Sequence, residues 1–229
     1  MSIQFRKILV CLIAVFAISA IASASASAAL PELVNKEGKA LVKKKDKSNN
    51  VKGNIAVLET IGGSKVECKS VSDVSEITGT KTDTTTVTFD ECTAFGETCQ
   101  NKGGTAGIIK TVLLASKLRY INGKKAVGLV LKPKTGELFV EFECSGIVIK
   151  VRGSVIGVIT PINTFVAPPG PFTLTFTQAA GVQVPTEYEE GTKKVKDVLE
   201  TSINGGAYEQ SGESSTDEEF LEEEAKINA

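Results

Sequence analysis

Beyond residue 29, apolar and polar positions alternate in short runs that recur about every 8–14 residues, with turn-forming residues between them. Residues 84–92 (TTTVTFDEC) set Thr86 and Thr88 against Val87 and Phe89, the period of two of a half-buried strand. Residues 172–177 repeat it, with Phe172, Leu174 and Phe176 on one face and threonines on the other. In residues 138–144 (LFVEFEC), Leu138, Val140 and Phe142 form the expected core face, against Phe139 alone on the other.

Turn chemistry joins these runs into hairpins. Residues 54–60 and 65–70 flank Ile61-Gly62-Gly63-Ser64, where Gly-Gly accepts the positive φ of a two-residue turn. Residues 116–121 and 126–132 flank Asn122-Gly123-Lys124-Lys125. The apolar run 147–159 is interrupted by Lys150, Arg152, Gly153 and Gly157. Glycine inside a strand marks a bulge or bend, so this strand is expected to curl between two sheets. Residues 161–171, with Ala167-Pro168-Pro169-Gly170-Pro171, lack the amide donors for regular pairing and read as a long hairpin loop or a boundary between lobes. A further strand is expected over 195–203, a turn at Asn204-Gly205-Gly206, and a closing strand with a frayed acidic end over 217–225 (DEEFLEEEA), a stretch that also has helical composition. The pattern predicts an all-β fold, a mostly antiparallel sandwich or distorted barrel, as a single β-rich domain over residues 30–229.

The first 29 residues follow another rule. Arg6 and Lys7 precede an apolar stretch over 8–21, which runs into alternating Ala and Ser over 22–29. This is the order of a secretory signal peptide, with overlapping A-x-A sites that place cleavage after Ala28 or Ala29. The apolar stretch is shorter than the roughly 20 residues of a membrane-crossing helix, so no stable membrane span is expected once the signal is removed. Cys11 leaves with the signal.

Export changes the meaning of the four remaining cysteines, Cys68, Cys92, Cys99 and Cys144. In an oxidising space an even number suggests disulfides, here with three connectivities open. The polar loop between Cys92 and Cys99 favours a local bridge, which would leave Cys68 to meet Cys144. Zinc is the competing reading, but the spacing is wider than a C-x2–4-C knuckle and the chain has no histidine.

The lack of histidine also removes Ser-His-Asp triads, Cys-His dyads, HExxH zinc sites and 2-His-1-carboxylate iron sites. No S-x-x-K, G-x-S-x-G, P-loop or G-x-G-x-x-G motif occurs, so no catalytic, cofactor-binding or metal residue is expected. Asp46-x-Ser48-x-Asn50 begins like a calcium loop, but Val51 and Val57 stand where Gly and Glu are required. Glu141 and Glu143, with Glu137 nearby, could in principle form a glycosidase-like carboxylate pair, but a solvent-facing strand face is the ordinary explanation, and no Trp supplies a stacking platform.

Without Arg6 and Lys7, the 26 basic residues fall to 24 against 27 acidic ones, a net charge of −3. That balance, with only Arg119 and Arg152 as arginines, gives no reason to expect nucleic acid. Both arginines alternate with apolar residues and are expected to point outward. Seven lysines over residues 30–52 and 13 acids from Glu187 onward form a basic head and an acidic tail. These read as two solvated, partly mobile ends, or as segments that attract each other or a charged wall polymer; the tail could also hold Ca²⁺ loosely.

Residues 30–45 (LPELVNKEGKALVKKK), 62–70 (GGSKVECKS), 136–144 (GELFVEFEC), 151–161 (VRGSVIGVITP) and 196–206 (KDVLETSINGG) resemble recurrent segments of uncharacterised secreted bacterial β-rich proteins. The resemblance implies a bacterial exported domain and transfers no functional residue. Together these features lead to an exported, non-enzymatic β-domain, secreted or at the cell surface, with a structural or binding role and a place in the cell envelope as one option. The alternatives are a β-barrel that binds a small apolar ligand and, third, a carboxylate-based hydrolase.

Overall fold

The computed structural model describes residues 30–41, 45–50 and 55–229, with side chains described for all of these except 45–50. The signal segment and its cleavage positions Ala28 and Ala29 lie outside the described residues. Among the described residues there are strands and no helix. Along the chain, β1 (Glu32–Asn35), β2 (Lys45–Asn50), β3 (Ala56–Thr60) and β4 (Lys65–Cys68) lead into β5 (Ser70–Ile77) and β6 (Thr82–Asp90). The short β7 (Thr93–Ala94), β8 (Glu97–Gln100) and β9 (Ile109–Lys110) precede β10 (Leu114–Ile121), β11 (Ala126–Pro133) and β12 (Leu138–Cys144). Next come β13 (Ile147–Gly153), β14 (Val155–Thr160), β15 (Phe172–Ala179), β16 (Val182–Val184), β17 (Glu187–Glu190) and β18 (Lys193–Lys196). β19 (Leu199–Ile203), the 13-residue β20 (Glu209–Leu221) and β21 (Ala225–Asn228) follow.

Eight antiparallel strands close on themselves in the order β6-β10-β11-β14-β15-β20-β2-β5 and back to β6, so the all-β expectation resolves to a barrel. A second antiparallel circuit runs β3-β4-β7-β8-β12-β13-β19-β20 and back to β3. The two share β20, whose first half pairs with β19 and β3 and whose second half pairs with β15 and β2. One continuous apolar cluster spans both circuits, from Val66 and Phe142 to Leu114 and Phe172.

The 147–159 run passes between the circuits as expected, as β13 in one and β14 in the other. Gly153 makes the change of direction at φ +104°, and an added Cβ there would fall on the Val198 carbonyl oxygen. Residues 161–171 join β14 to β15, which pair with each other, so this stretch is a hairpin loop. Its Val166 bridges to Ala225 and its Asn163 amide donates to the Ile227 carbonyl, fastening the loop to β21.

Three local expectations need correction. A register shift between Leu138 and Val140 lets Phe139 and Val140 both enter the core, so β12 has no single apolar face. The β3–β4 connection is four residues long, with Gly63 alone of its two glycines at positive φ. The expected strand over 195–203 is divided between β18 and β19.

The described parts of the basic head and the acidic tail are also built in, because backbone pairing carries them into the fold. β1 pairs with β21 along four residues, and Lys36 binds Glu224 at 2.6 Å, while β2 pairs with β20 inside the barrel wall. The acidic tail is therefore neither frayed nor wholly solvated: Asp217 is 4% exposed and Glu219 9%.

Both disulfides form, but with another connectivity than the local loop suggested: Cys68–Cys92 and Cys99–Cys144. Register is the physical reason. Ser70 stands opposite Asp90 in the β5–β6 pair, and the same register continued two residues outward sets Cys68 against Cys92. Cys99 is paired directly with Cys144 between β8 and β12. The Cα atoms are 4.0 and 4.1 Å apart, the close approach of directly opposed strand residues. Cys92 and Cys99 are joined by a backbone hydrogen bond, with the Cys99 amide donating to the Cys92 carbonyl, and not by a disulfide.

Candidate functional site

A cavity of about 170 Å³ lies within the barrel and reaches the second circuit, where Val66, Phe142 and Leu199 line it. Its walls differ in kind. From β10, β11, β14 and β15, Leu118, Leu129, Leu131, Ile159, Leu174 and Phe176 present an apolar surface. β5, β6 and β20 add Asp73, Ser75, Asp83, Thr85, Glu213 and Asp217 to apolar residues such as Val71, Val87 and Leu221. Alternation explains the second wall. On β20 the residues Glu213, Ser215, Asp217 and Glu219 are spaced by two and all line the cavity, as do Asp73 and Ser75 on β5. β2 stands between β20 and β5, with Ser48 opposite both Glu219 and Asp73, and Asn50 opposite Asp217.

Hydroxyls serve part of this carboxylate wall. Ser75 and Thr85 each donate to Asp73 Oδ2 at 2.5 Å, Ser116 donates to Asp83 Oδ1, and Ser215 donates to Asp217 Oδ2 at 3.2 Å. Asp217 Oδ1 and Glu213 Oε1 have no hydrogen-bond partner among the described residues. Withdrawal from water, reinforced by the neighbouring Asp217, pushes the Glu213 carboxyl up to about 8. Burial, with Asp73 nearby, raises Asp217 to about 7, and burial raises Asp83 to about 6. Lys81 lines the cavity at the β5–β6 turn, its pKa lowered chiefly by burial and further by Lys117 and Arg119, against the pull of Glu32.

The pair β1–β21 lies against this same turn. The Leu33 amide donates to the Thr80 carbonyl at 2.6 Å, and Leu33 and Ile227 line the cavity. They cover the barrel end with apolar side chains.

The acids singled out from sequence lie elsewhere. Glu137 is exposed in the turn before β12, Glu141 is exposed and pairs with Lys150 at 3.2 Å, and Glu143 sits opposite Gln100. The side chains of Asp46, Ser48 and Asn50 are outside the described ones. Arg119 and Arg152 leave the barrel walls as expected but are covered: Arg119 pairs with Glu190 5.7 Å from the Tyr188 ring centre, and Arg152 pairs with Glu200 and lies 3.8 Å over Tyr208.

Among the described residues no group of three or more acidic or cysteine side chains has the geometry to hold a metal ion, and no helix is long and apolar enough to cross a membrane. Comparison of the chain with protein-family models, curated proteins and solved structures returns no match.

Proposed function

We propose that this is an exported binding protein without catalytic chemistry, acting outside the cell or at its surface, whose barrel holds a small, mainly apolar molecule. The cavity carries the reading. Well-packed interiors leave few voids larger than a water molecule, whereas this one is of the size that admits roughly a six- to eight-carbon group. An eight-stranded barrel has the girth to hold one small ligand. The two disulfides suit an oxidising compartment. A purely structural role would leave the hollow interior without a use.

Titration of the oxidised protein with 1-octanol, followed by calorimetry and by thermal unfolding, tests it. Octanol is expected to bind with a stoichiometry near one and to raise the melting temperature. Leu129→Phe projects a ring into the cavity and is expected to remove both effects while the protein stays folded. No heat and no thermal shift with any eight-carbon amphiphile would overturn the proposal.

A carboxylate-based hydrolase is the second reading, favoured by the gathering of Asp73, Asp83, Glu213 and Asp217 on one cavity, with burial raising the pKa of Asp83, Glu213 and Asp217. Its substrate would have to fit the same cavity of about 170 Å³, which disfavours a polymeric sugar. Turnover of small nitrophenyl glycosides or esters, lost in Glu213→Gln, would move the assignment to it.

A further inference from the structure

The cavity's carboxylates specify the polar end of its occupant. Resting on the binding reading above, we infer that the ligand is an alkyl or aryl amine, held with its ammonium group against Glu213 and Asp217 and its apolar part against β10, β11, β14 and β15.

Donor accounting leads there. Ser75, Thr85, Ser116 and Ser215 each own one hydroxyl proton, and each has given it to Asp73, Asp83 or Asp217. What is left around Asp217 Oδ1 and Glu213 Oε1 is acceptor capacity. Asp217 Oδ1, on a side chain 4% exposed, and Glu213 Oε1, two strand positions away on the same face, have no donor among the described residues. No lysine or arginine forms an ion pair with either among those residues. Lys81, the lining lysine among them, sits in the β5–β6 turn beside Glu32, Lys117 and Arg119.

Among the described side chains, Asp217 Oδ1 and Glu213 Oε1 therefore lack a donor and a counter-charge, and a cation placed there would draw both acids from the protonated form that burial favours to the ionised one. A primary ammonium brings three donors and the charge together. An alcohol brings one donor and no charge. An alkyl carboxylate brings acceptors and repulsion. A calcium ion wants six to eight oxygens around it, and most of this cavity's surface is hydrocarbon. The occupant must also carry apolar surface, since leaving the Leu129, Leu131 and Leu174 wall against water would forgo its burial.

Calorimetric titration of the oxidised protein with octylamine, 1-octanol and sodium octanoate near neutral pH decides the matter. Octylamine is expected to bind about tenfold or more tightly than octanol, the increment of a charge-assisted hydrogen bond, and octanoate weakest. Glu213→Gln and Asp217→Asn keep the shape and remove charge. Each is expected to bring octylamine down to the level of octanol, with octanol itself changed less than about threefold. Equal binding of amine and alcohol would overturn the inference and leave the apolar-binder reading standing. Octylamine affinity that survives both variants would place the amine elsewhere and overturn it as well. Calcium chloride that abolishes octylamine binding at equimolar amounts would convert the site to an inorganic cation site. Failure of all three amphiphiles would remove the binding reading itself.

Discussion

Four buried acids make the folded protein hold protons that the unfolded chain releases. Burial is the leading cause for Glu213, Asp217, Asp83 and Asp197, whose carboxyls rise to about 8, 7, 6 and 6. Asp197 lies outside the cavity, where Ser154 donates to its Oδ1 and leaves Oδ2 without a partner. An acid with a raised folded pKa contributes stability that is complete below its unfolded value, near pH 4, and is lost as pH rises through the folded value. The window here runs from about pH 4 to about pH 8. The unliganded protein is therefore expected to melt roughly 5–10 °C higher at pH 5 than at pH 8.5. Circular-dichroism melts across that range check it, and Glu213→Gln should flatten the dependence. A melting temperature that climbs toward pH 8.5 would show that these carboxyls stay ionised and solvated.

At the scale of the element, the disulfides secure strands that have little else to hold them. β7 and β8 are two and four residues long, and β8 touches β12 through two residue pairs, one of them Cys99 with Cys144. Its closed loop spans 45 residues and that of Cys68–Cys92 spans 24. In the loop-entropy account, removing Cys99–Cys144 as a double serine variant costs about 4 kcal/mol, and removing Cys68–Cys92 about 3.5. Denaturant unfolding measures both, and equal midpoints in wild type and variants would refute the assignment. The same elements show what a single sequence reveals. Thr86 and Val87, or Phe172 and Thr173, differ sharply enough for a period of two to stand out, and Gly153 breaks its strand where the chain changes circuit. β20 shows no such contrast. Its inward Ser211, Glu213, Ser215, Asp217 and Glu219 alternate with Gly212, Ser214, Thr216 and Glu218, which are no more apolar. Polar on both faces, it reads as a tail, although it is the strand both circuits share, and its acids are the candidate site. The disulfide pairing was hidden for a related reason, since a register is a long-range property and the Cys92–Cys99 loop is a local one.

For the whole molecule, this shared strand implies that neither circuit has an independent stability. β20 contributes backbone pairing to β19 and β3 at one end and to β15 and β2 at the other, so neither circuit closes without it. The apolar core gives no seam at which the two could part, because Phe139, Phe142 and Val151 of one circuit belong to the same cluster as Leu131, Val155 and Phe172 of the other. Chain connectivity points the same way: β4 runs into β5 through Lys69, and β13 into β14 through Ser154, so loosening one circuit pulls directly on the other. We therefore expect one cooperative unfolding transition, with far-ultraviolet and aromatic near-ultraviolet signals superimposing. Amide exchange supplies the sharper measurement. Paired β20 amides should exchange only through global opening, with the free energy of complete unfolding, whereas β17 and β18, whose strand pairing to the barrel is one residue pair between Tyr120 and Glu189, should open locally at much lower cost. Two separated transitions, or β20 amides that exchange as fast as those of β17, would mean that the circuits fold apart and that the cavity is not the property of one cooperative barrel.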